Sequence, residues 1–250
     1  MKPFTISVGS LTSCLRGVVY EKQGVAHPPL HPEIVKTLDL FRTFAELGQK
    51  IQKQLYAFWL QKGSLVRTED WIPRTPSGFT GKFDAICTIG GKTVLYEIKG
   101  AGKSFFAWVK EHKKPRPEHA FQVLTYYHLF KDAYPDLEPR ILYVSRNALK
   151  YDNALRGVEV PIEISDDQFE EAKRRADLVR AALAGGELPP PTPAIVKSFP
   201  EETMNVDLSA LTCRHHALCL EDENWYAKAM RELGNDITDI EKALTASEPF

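Results

Sequence analysis

Two strand-like runs, residues 79–89 and 92–100, flank a Gly90-Gly91 pair. Gly-Gly between apolar or alternating runs is a strong signal for a two-residue hairpin turn. If the turn is Gly90-Gly91, Ile89 pairs with Lys92, and counting back sets Asp84 directly opposite Glu97. Directly opposed residues share a sheet face, with Cβ atoms about 5 Å apart. Lys99 lies two residues beyond Glu97 and points to the same face.

Two facing carboxylates repel and destabilise a hairpin. A hard divalent cation removes that cost, and Mg²⁺ or Mn²⁺ prefers oxygen ligands while keeping several waters. Asp84 and Glu97 are therefore the expected metal ligands, with the Ile98 carbonyl as a further one. Such a site suits attack of an activated water on a phosphate. Lys99 would orient the nucleophile or offset developing negative charge. A solvated hairpin face with alternating charge is the bland alternative. Val94, Leu95, Tyr96 and Ile98 oppose it, because they give the second strand apolar residues on both faces.

Residues 33–62 carry Leu38, Phe41, Phe44, Ala45, Leu47, Ile51, Leu55 and Phe58 at helical spacing. Strands are expected at 65–72, 140–145 and 157–164, and helices at 120–131 and 166–184. Ser165 suits the N-cap of the last helix and Gly185-Gly186 its end. Pro73 to Gly78 reads as a turn-rich loop, Pro189 to Pro193 as an extended connector, and about Asp222 to Leu233 as a charged helix. The class is α/β or α+β, a mixed central sheet flanked by helices.

The pattern of Asp84 on one strand and Glu97-Ile98-Lys99 on the next resembles the PD-(D/E)XK nuclease superfamily. Phe121-Gln122-Val123-Leu124-Thr125-Tyr126 resembles the Gln-x-x-x-Tyr motif of its RecB-like branch, with Gln122 and Tyr126 four apart on one helix face. Ser10 to Cys14 resembles that branch's Ser-x-x-x-Cys segment, and Val160-Pro161-Ile162 and Gly186-Glu187-Leu188-Pro189 its C-terminal layout. The similarity runs from about residue 10 to residue 220. The nearest groups are CRISPR-associated RecB-like exonucleases, their phage relatives and the mitochondrial genome maintenance exonuclease. The resemblance implies a restriction-endonuclease-like core over 1–200, with residues 201–250 packing back on the N-terminus. It implies catalysis by Asp84, Glu97 and Lys99, with Gln122 and Tyr126 supporting the site and DNA contact.

The sequence departs from the family in two places. Gln52 stands where the family often has a metal-binding histidine; it is a weak ligand, a water-orienting amide, or no ligand at all. Glu69 reads equally as an added carboxylate ligand or as an exposed strand residue. Some relatives hold a four-iron, four-sulfur cluster on one early cysteine and a late Cys-x2-Cys-x5-Cys group. Here Cys14, Cys213 and Cys219 match, Ala210 occupies the remaining position, and His215 or His216 would complete a Cys₃His set. A retained cluster, zinc in its place, and a degenerate site without metal all remain open. Cys87, by hairpin parity, points away from Asp84 and reads as a core thiol.

A formal net charge of -1 gives no global basic field, so DNA contact must come from local patches. Lys103, Lys110, Lys113, Lys114 and Arg116, interleaved with Phe105, Phe106 and Trp108, form one just after Lys99. The cations would hold phosphates and the aromatics stack on unpaired bases; the plain alternative is core aromatics and solvated charges. The chain lacks a run of about 18 apolar residues and an apolar leader, so a cytoplasmic protein with no membrane contact is expected. The resulting expectation is an exonuclease on single-stranded DNA ends. A site-specific endonuclease and a non-catalytic DNA-binding subunit are the rivals. Protein partners and polarity are not legible.

Overall fold

The computed structural model describes residues 5–26, 32–68, 71–72, 78–152, 154–190, 195–198 and 203–206. In chain order these form β1 (Ile6–Ser7), a 3-10 turn (Gly9–Thr12), α1 (Leu15–Gln23), α2 (Pro32–Gln61), β2 (Leu65–Thr68), β3 (Trp71–Ile72), β4 (Phe79–Lys82), β5 (Ala85–Ile89) and β6 (Lys92–Ala101). They continue as α3 (Lys103–His112), α4 (Pro117–Phe130), β7 (Leu137–Ser145), α5 (Arg146–Asp152), β8 (Gly157–Pro161), α6 (Asp166–Leu183), β9 (Ile195–Ser198) and β10 (Thr203–Val206). The chain forms two compact units, Met1–Thr12 with Phe41–Arg174, and Ser13–Leu40 with Arg175–Phe250.

The first unit is built on a five-stranded sheet in the order β2-β5-β6-β7-β8. The β6–β7 pair is parallel and the other three are antiparallel. A parallel pair needs a crossover between its strands, and α3 and α4 supply it. The Gly90-Gly91 turn, with φ of 58° and 81°, pairs Ile89 with Lys92 as the dipeptide predicts. One face of the sheet is covered by α2, whose Ile51, Leu55 and Trp59 pack on Ala85, Cys87, Val94, Tyr96 and Ile98. Trp59 stacks on Tyr96 with ring centroids 5.1 Å apart. The four-residue spacing of 51, 55 and 59 puts Trp59 inside, while Phe58, expected to be buried, is 50% exposed. On the other face α4 lies against β6 and β7. The class is thus the expected mixed α/β.

Two expected strands are each divided. Within the expected strand 65–72, Leu65–Thr68 form β2, which pairs with β5, and Trp71–Ile72 form β3, which pairs with β4 in a separate β1-β4-β3 sheet. Residues 79–89 break at Phe83 and Asp84. The break has a packing cause. Phe83 is fully buried and meets Phe130 of α4 edge to face, with centroids 4.8 Å apart. Sinking that ring under α4 takes the chain out of the ladder for two residues.

In the second unit, Gly24 in the left-handed conformation (φ 68°) ends α1. Arg16 Nε donates to the Pro189 carbonyl at 2.6 Å, and Arg175 Nη2 to the Ser13 carbonyl at 3.3 Å. The β9–β10 hairpin, Ile195↔Val206 to Ser198↔Thr203, was not anticipated. The expected helix near Asp222 to Leu233 lies outside the described residues.

Trp59 is buried under the sheet and stacked on Tyr96. Trp59→Ala should cost about 3–5 kcal/mol, read from urea or guanidinium unfolding of both proteins.

Candidate active site

The site arises from unequal strand lengths. β6 has ten residues and β5 has five, so the ladder between them ends at Ala85↔Tyr96. Beyond it, Glu97–Ala101 pair with β7 on one edge only. The Ile98 N–H on the other edge is met by a side chain. Asp84, in the break before β5, accepts it through Oδ2 at 2.6 Å. Asp84 Oδ1 accepts from Gln52 Nε2 of α2 at 2.9 Å.

This corrects the expected direct Asp84–Glu97 pair. Asp84 is not a rung of the ladder; its carboxylate caps an open strand edge. Glu97 and Lys99 do share a face, as alternation requires, and Lys99 Nζ lies 2.6 Å from Glu97 Oε1. Glu97 is buried, with 3% of its surface exposed. Burial presses the Lys99 pKa down, but the Glu97 carboxylate, the hydrogen bond to it and Asp84 outweigh this and hold it above that of an ordinary lysine. Lys99 is therefore a cation balancing two carboxylates.

One stripe of α4 fixes the other side. Gln122, Tyr126 and Phe130 recur every four residues and so share a helix face. Gln122 Oε1 accepts from Lys99 Nζ at 3.1 Å. Tyr126 donates its hydroxyl to the Lys82 carbonyl at 2.7 Å, two residues before Asp84. Phe130 holds Phe83. Tyr126 crosses directly over Gly81, where a Cβ would stand 2.8 Å from its hydroxyl oxygen, so only glycine leaves room. Burial first, then Glu97 and Asp84, push the Tyr126 phenol well above its usual range, so it remains a neutral donor.

The donor chemistry fits Mg²⁺ or Mn²⁺. Asp84 and Glu97 offer hard oxygens, and a carboxylate that accepts two hydrogen bonds still has lone pairs for a cation. Magnesium sites commonly use one or two carboxylates and complete the shell with water and substrate phosphate. Among the described residues no group of three or more His, Cys, Asp or Glu side chains comes together. Gln52, whose amide faces Asp84, positions that carboxylate. Ile98 contributes its N–H to Asp84, and its side chain lies in the core. Glu69 lies outside the described residues, as do Cys213, His215, His216 and Cys219. Cys14 is buried at the N-cap of α1 in the second unit. Cys87 is a fully buried core thiol, its pKa pushed up to about 12 by burial and then by Glu159.

The basic and aromatic cluster falls on α3 and the link to α4. Lys103, Lys110, Lys113 and Lys114 are exposed, and Arg116 is half-buried. Phe105, Trp108 and His112 stack along α3, with centroids 6.3 Å and 4.5 Å apart, and Arg116 lies over Phe105 at 4.5 Å. Phe105, Phe106 and Trp108 are half-buried, and His112 is exposed. Two groups beside the site were missed from sequence. His119 Nδ1 is 2.9 Å from the Tyr143 hydroxyl, and Arg146 lies against the end of β6. Neither falls in a motif; His119 feels the Lys99 charge, and Arg146 meets Gly100 and Gly102 only once β6 and β7 pair.

No protein-family model matches the sequence, and no curated protein is similar to it. Solved structures are similar to it in part. The crystal structure of SSO0001 is 20% identical, covering 72% of this chain and 76% of that one, with a TM-score of 0.44. The alkaline exonuclease LHK-Exo from Laribacter hongkongensis is 13% identical, covering 72% and 88%, with a TM-score of 0.47.

Two predictions follow from this geometry. Gly81→Ala drives a methyl group into Tyr126 and should cost about 1–3 kcal/mol, measured by chemical denaturation. His119 is held down to about pKa 2 by burial and then by Lys99 and Arg116. The unfolded histidine takes a proton below about pH 6.5 and the folded one does not, so stability falls as pH drops. Discounted for the ring's partial exposure, the loss should be about 1 kcal/mol between pH 6.5 and pH 5, and His119→Gln should remove it.

Proposed function

We propose that the protein is a divalent-metal-dependent deoxyribonuclease of the PD-(D/E)XK type, in the RecB-like branch, acting as an exonuclease on single-stranded DNA ends. The observation that carries this reading is Asp84 bound across the open edge of β6 to Ile98 N–H, beside the buried Glu97–Lys99 pair. Both carboxylates and the ammonium converge on one strand end, with Gln122 and Tyr126 behind them.

Asp84 and Glu97 would hold Mg²⁺ or Mn²⁺, with the Ile98 carbonyl as a further donor. Such an ion, when bound, lowers the pKa of a coordinated water and offsets charge on a phosphate oxygen. Gln52 and the Ile98 N–H keep Asp84 in place as that charge changes. With a cation held by Glu97, the Lys99 ammonium, which lies 2.6 Å from that carboxylate, would be available to the phosphate or to the attacking water. Gln122, whose Oε1 accepts from Lys99 Nζ, holds the ammonium in range. The exposed lysines of α3 and its following link would take strand phosphates, and the Phe105–Trp108–His112 stack would take unpaired bases. Preference for ends and for single strands comes from the family resemblance.

The purified protein should degrade end-labelled single-stranded DNA with Mn²⁺ and lose all activity with a chelator. Glu97→Ala should lower the rate by about 10²–10³-fold. Covalently closed circles should stay intact; linearised circles would instead support a site-specific endonuclease. Binding without any cleavage would leave a non-catalytic DNA-binding subunit.

A further inference from the structure

His119 is tied to the site by a closed square of contacts. In the parallel β6–β7 pair Lys99 is opposite Tyr143, so the two side chains stand side by side on one sheet face. On α4, His119 and Gln122 are three apart and share a helix face. Gln122 Oε1 accepts from Lys99 Nζ at 3.1 Å, and His119 Nδ1 is 2.9 Å from the Tyr143 hydroxyl. Neighbours on the helix thus hold neighbours on the sheet. Phe105 of α3 in turn grips the Tyr143 ring edge to face, with centroids 5.3 Å apart.

These bonds decide which nitrogen of His119 carries hydrogen. Tyr143 is fully buried, and among the described residues its hydroxyl has two partners, His119 Nδ1 and the backbone N–H of Arg116 at 3.1 Å. The Arg116 N–H can only donate, so the phenolic oxygen accepts there. The hydroxyl hydrogen then has one acceptor in reach, which is Nδ1. With hydrogen on Nδ1 instead, the oxygen would accept twice and its own hydrogen would be buried without a partner, which is destabilising. The imidazole hydrogen therefore sits on Nε2. Burial, with Lys99 and Arg116 nearby, keeps the ring neutral. Nε2 has no partner among the described residues, yet it is not one of the buried orphan atoms, so it meets solvent. A fixed N–H donor in the field of two cations suits an anionic oxygen.

The geometry points to His119 Nε2–H as a contact to a phosphate oxygen of the bound strand. The contact rests on the nuclease reading above. Residues three apart on a helix have Cβ atoms about 5–6 Å apart, so His119 works beside the ammonium that Gln122 holds. The contacted group is then the scissile phosphate or the one next to it.

The test is anisotropy binding of labelled single-stranded oligonucleotides, with Ca²⁺ in place of Mn²⁺, to wild type, His119→Asn and His119→Gln. The asparagine amide stands where Nδ1 is and still meets Tyr143, but it stops short of Nε2. The glutamine amide reaches the Nε2 position and can donate there. His119→Asn should weaken binding about tenfold to a hundredfold, and His119→Gln should recover most of it. A series of oligonucleotides, each with one methylphosphonate in place of a phosphate near the bound end, locates the contact. At one position wild type and His119→Asn should bind alike, and that position is the contacted phosphate. Ring nitrogen NMR of the free wild type, with His119 assigned through its contact to the Tyr143 ring, should show hydrogen on Nε2. That resonance should move when DNA is added. Wild-type affinity in His119→Asn, an equal loss in both variants, a loss that persists at every methylphosphonate position, or hydrogen on Nδ1 overturns the contact and leaves the nuclease reading standing. The NMR result decides even where a variant fails to fold. Wild type that neither binds nor cuts DNA overturns the nuclease reading and the contact with it.

Discussion

The site depends on one hydrogen bond, from the Ile98 N–H to the Asp84 carboxylate. β6 continues for five residues after its neighbour β5 has ended, and an unpaired strand edge must find acceptors. Asp84 supplies one at the first position with an outward N–H. The carboxylate is thereby held beside Glu97 in spite of their like charges. Hydrogen bonds from Gln52 and Ile98, and the Lys99 ammonium, offset the repulsion.

Two helices on opposite faces of the sheet keep that arrangement from relaxing. From one side α2 buries Ile51, Leu55 and Trp59 under the strands and brings Gln52 to Asp84. From the other, α4 sets Gln122, Tyr126 and Phe130 against Lys99, Lys82 and Phe83 in turn. Each helix thus serves packing and site with one face, so a core substitution on either is felt at the carboxylates. The shared stripe also gives Tyr126 a physical role: it pins the backbone two residues before Asp84, through a contact that needs Gly81.

Much of this was legible in the sequence, for reasons of period and turn chemistry. Gly90-Gly91 set the register, alternation put Glu97 and Lys99 together, and four-residue spacing aligned Gln122 with Tyr126. The break at Phe83-Asp84 was not legible, because it follows from Phe83 packing on Phe130, 47 positions away in a helix of its own. Gln52 was weighed as a metal ligand from its place in a family pattern; its bond to Asp84 spans 32 positions and has no local signature. The division of 65–72 depends on which strands flank it, and Arg146 on two glycines it meets only after β6 and β7 pair. Local pattern specified the elements, and long-range packing decided where Asp84 points.

The central claim is that Asp84 and Glu97 form one cation site at the open end of β6. Anomalous diffraction at the manganese edge, from crystals soaked in Mn²⁺, tests it directly. The account predicts a peak about 2 Å from oxygens of both Asp84 and Glu97, with Lys99 moved off Glu97. Crystals in which manganese binds elsewhere, and Lys99 stays on Glu97, would contradict it.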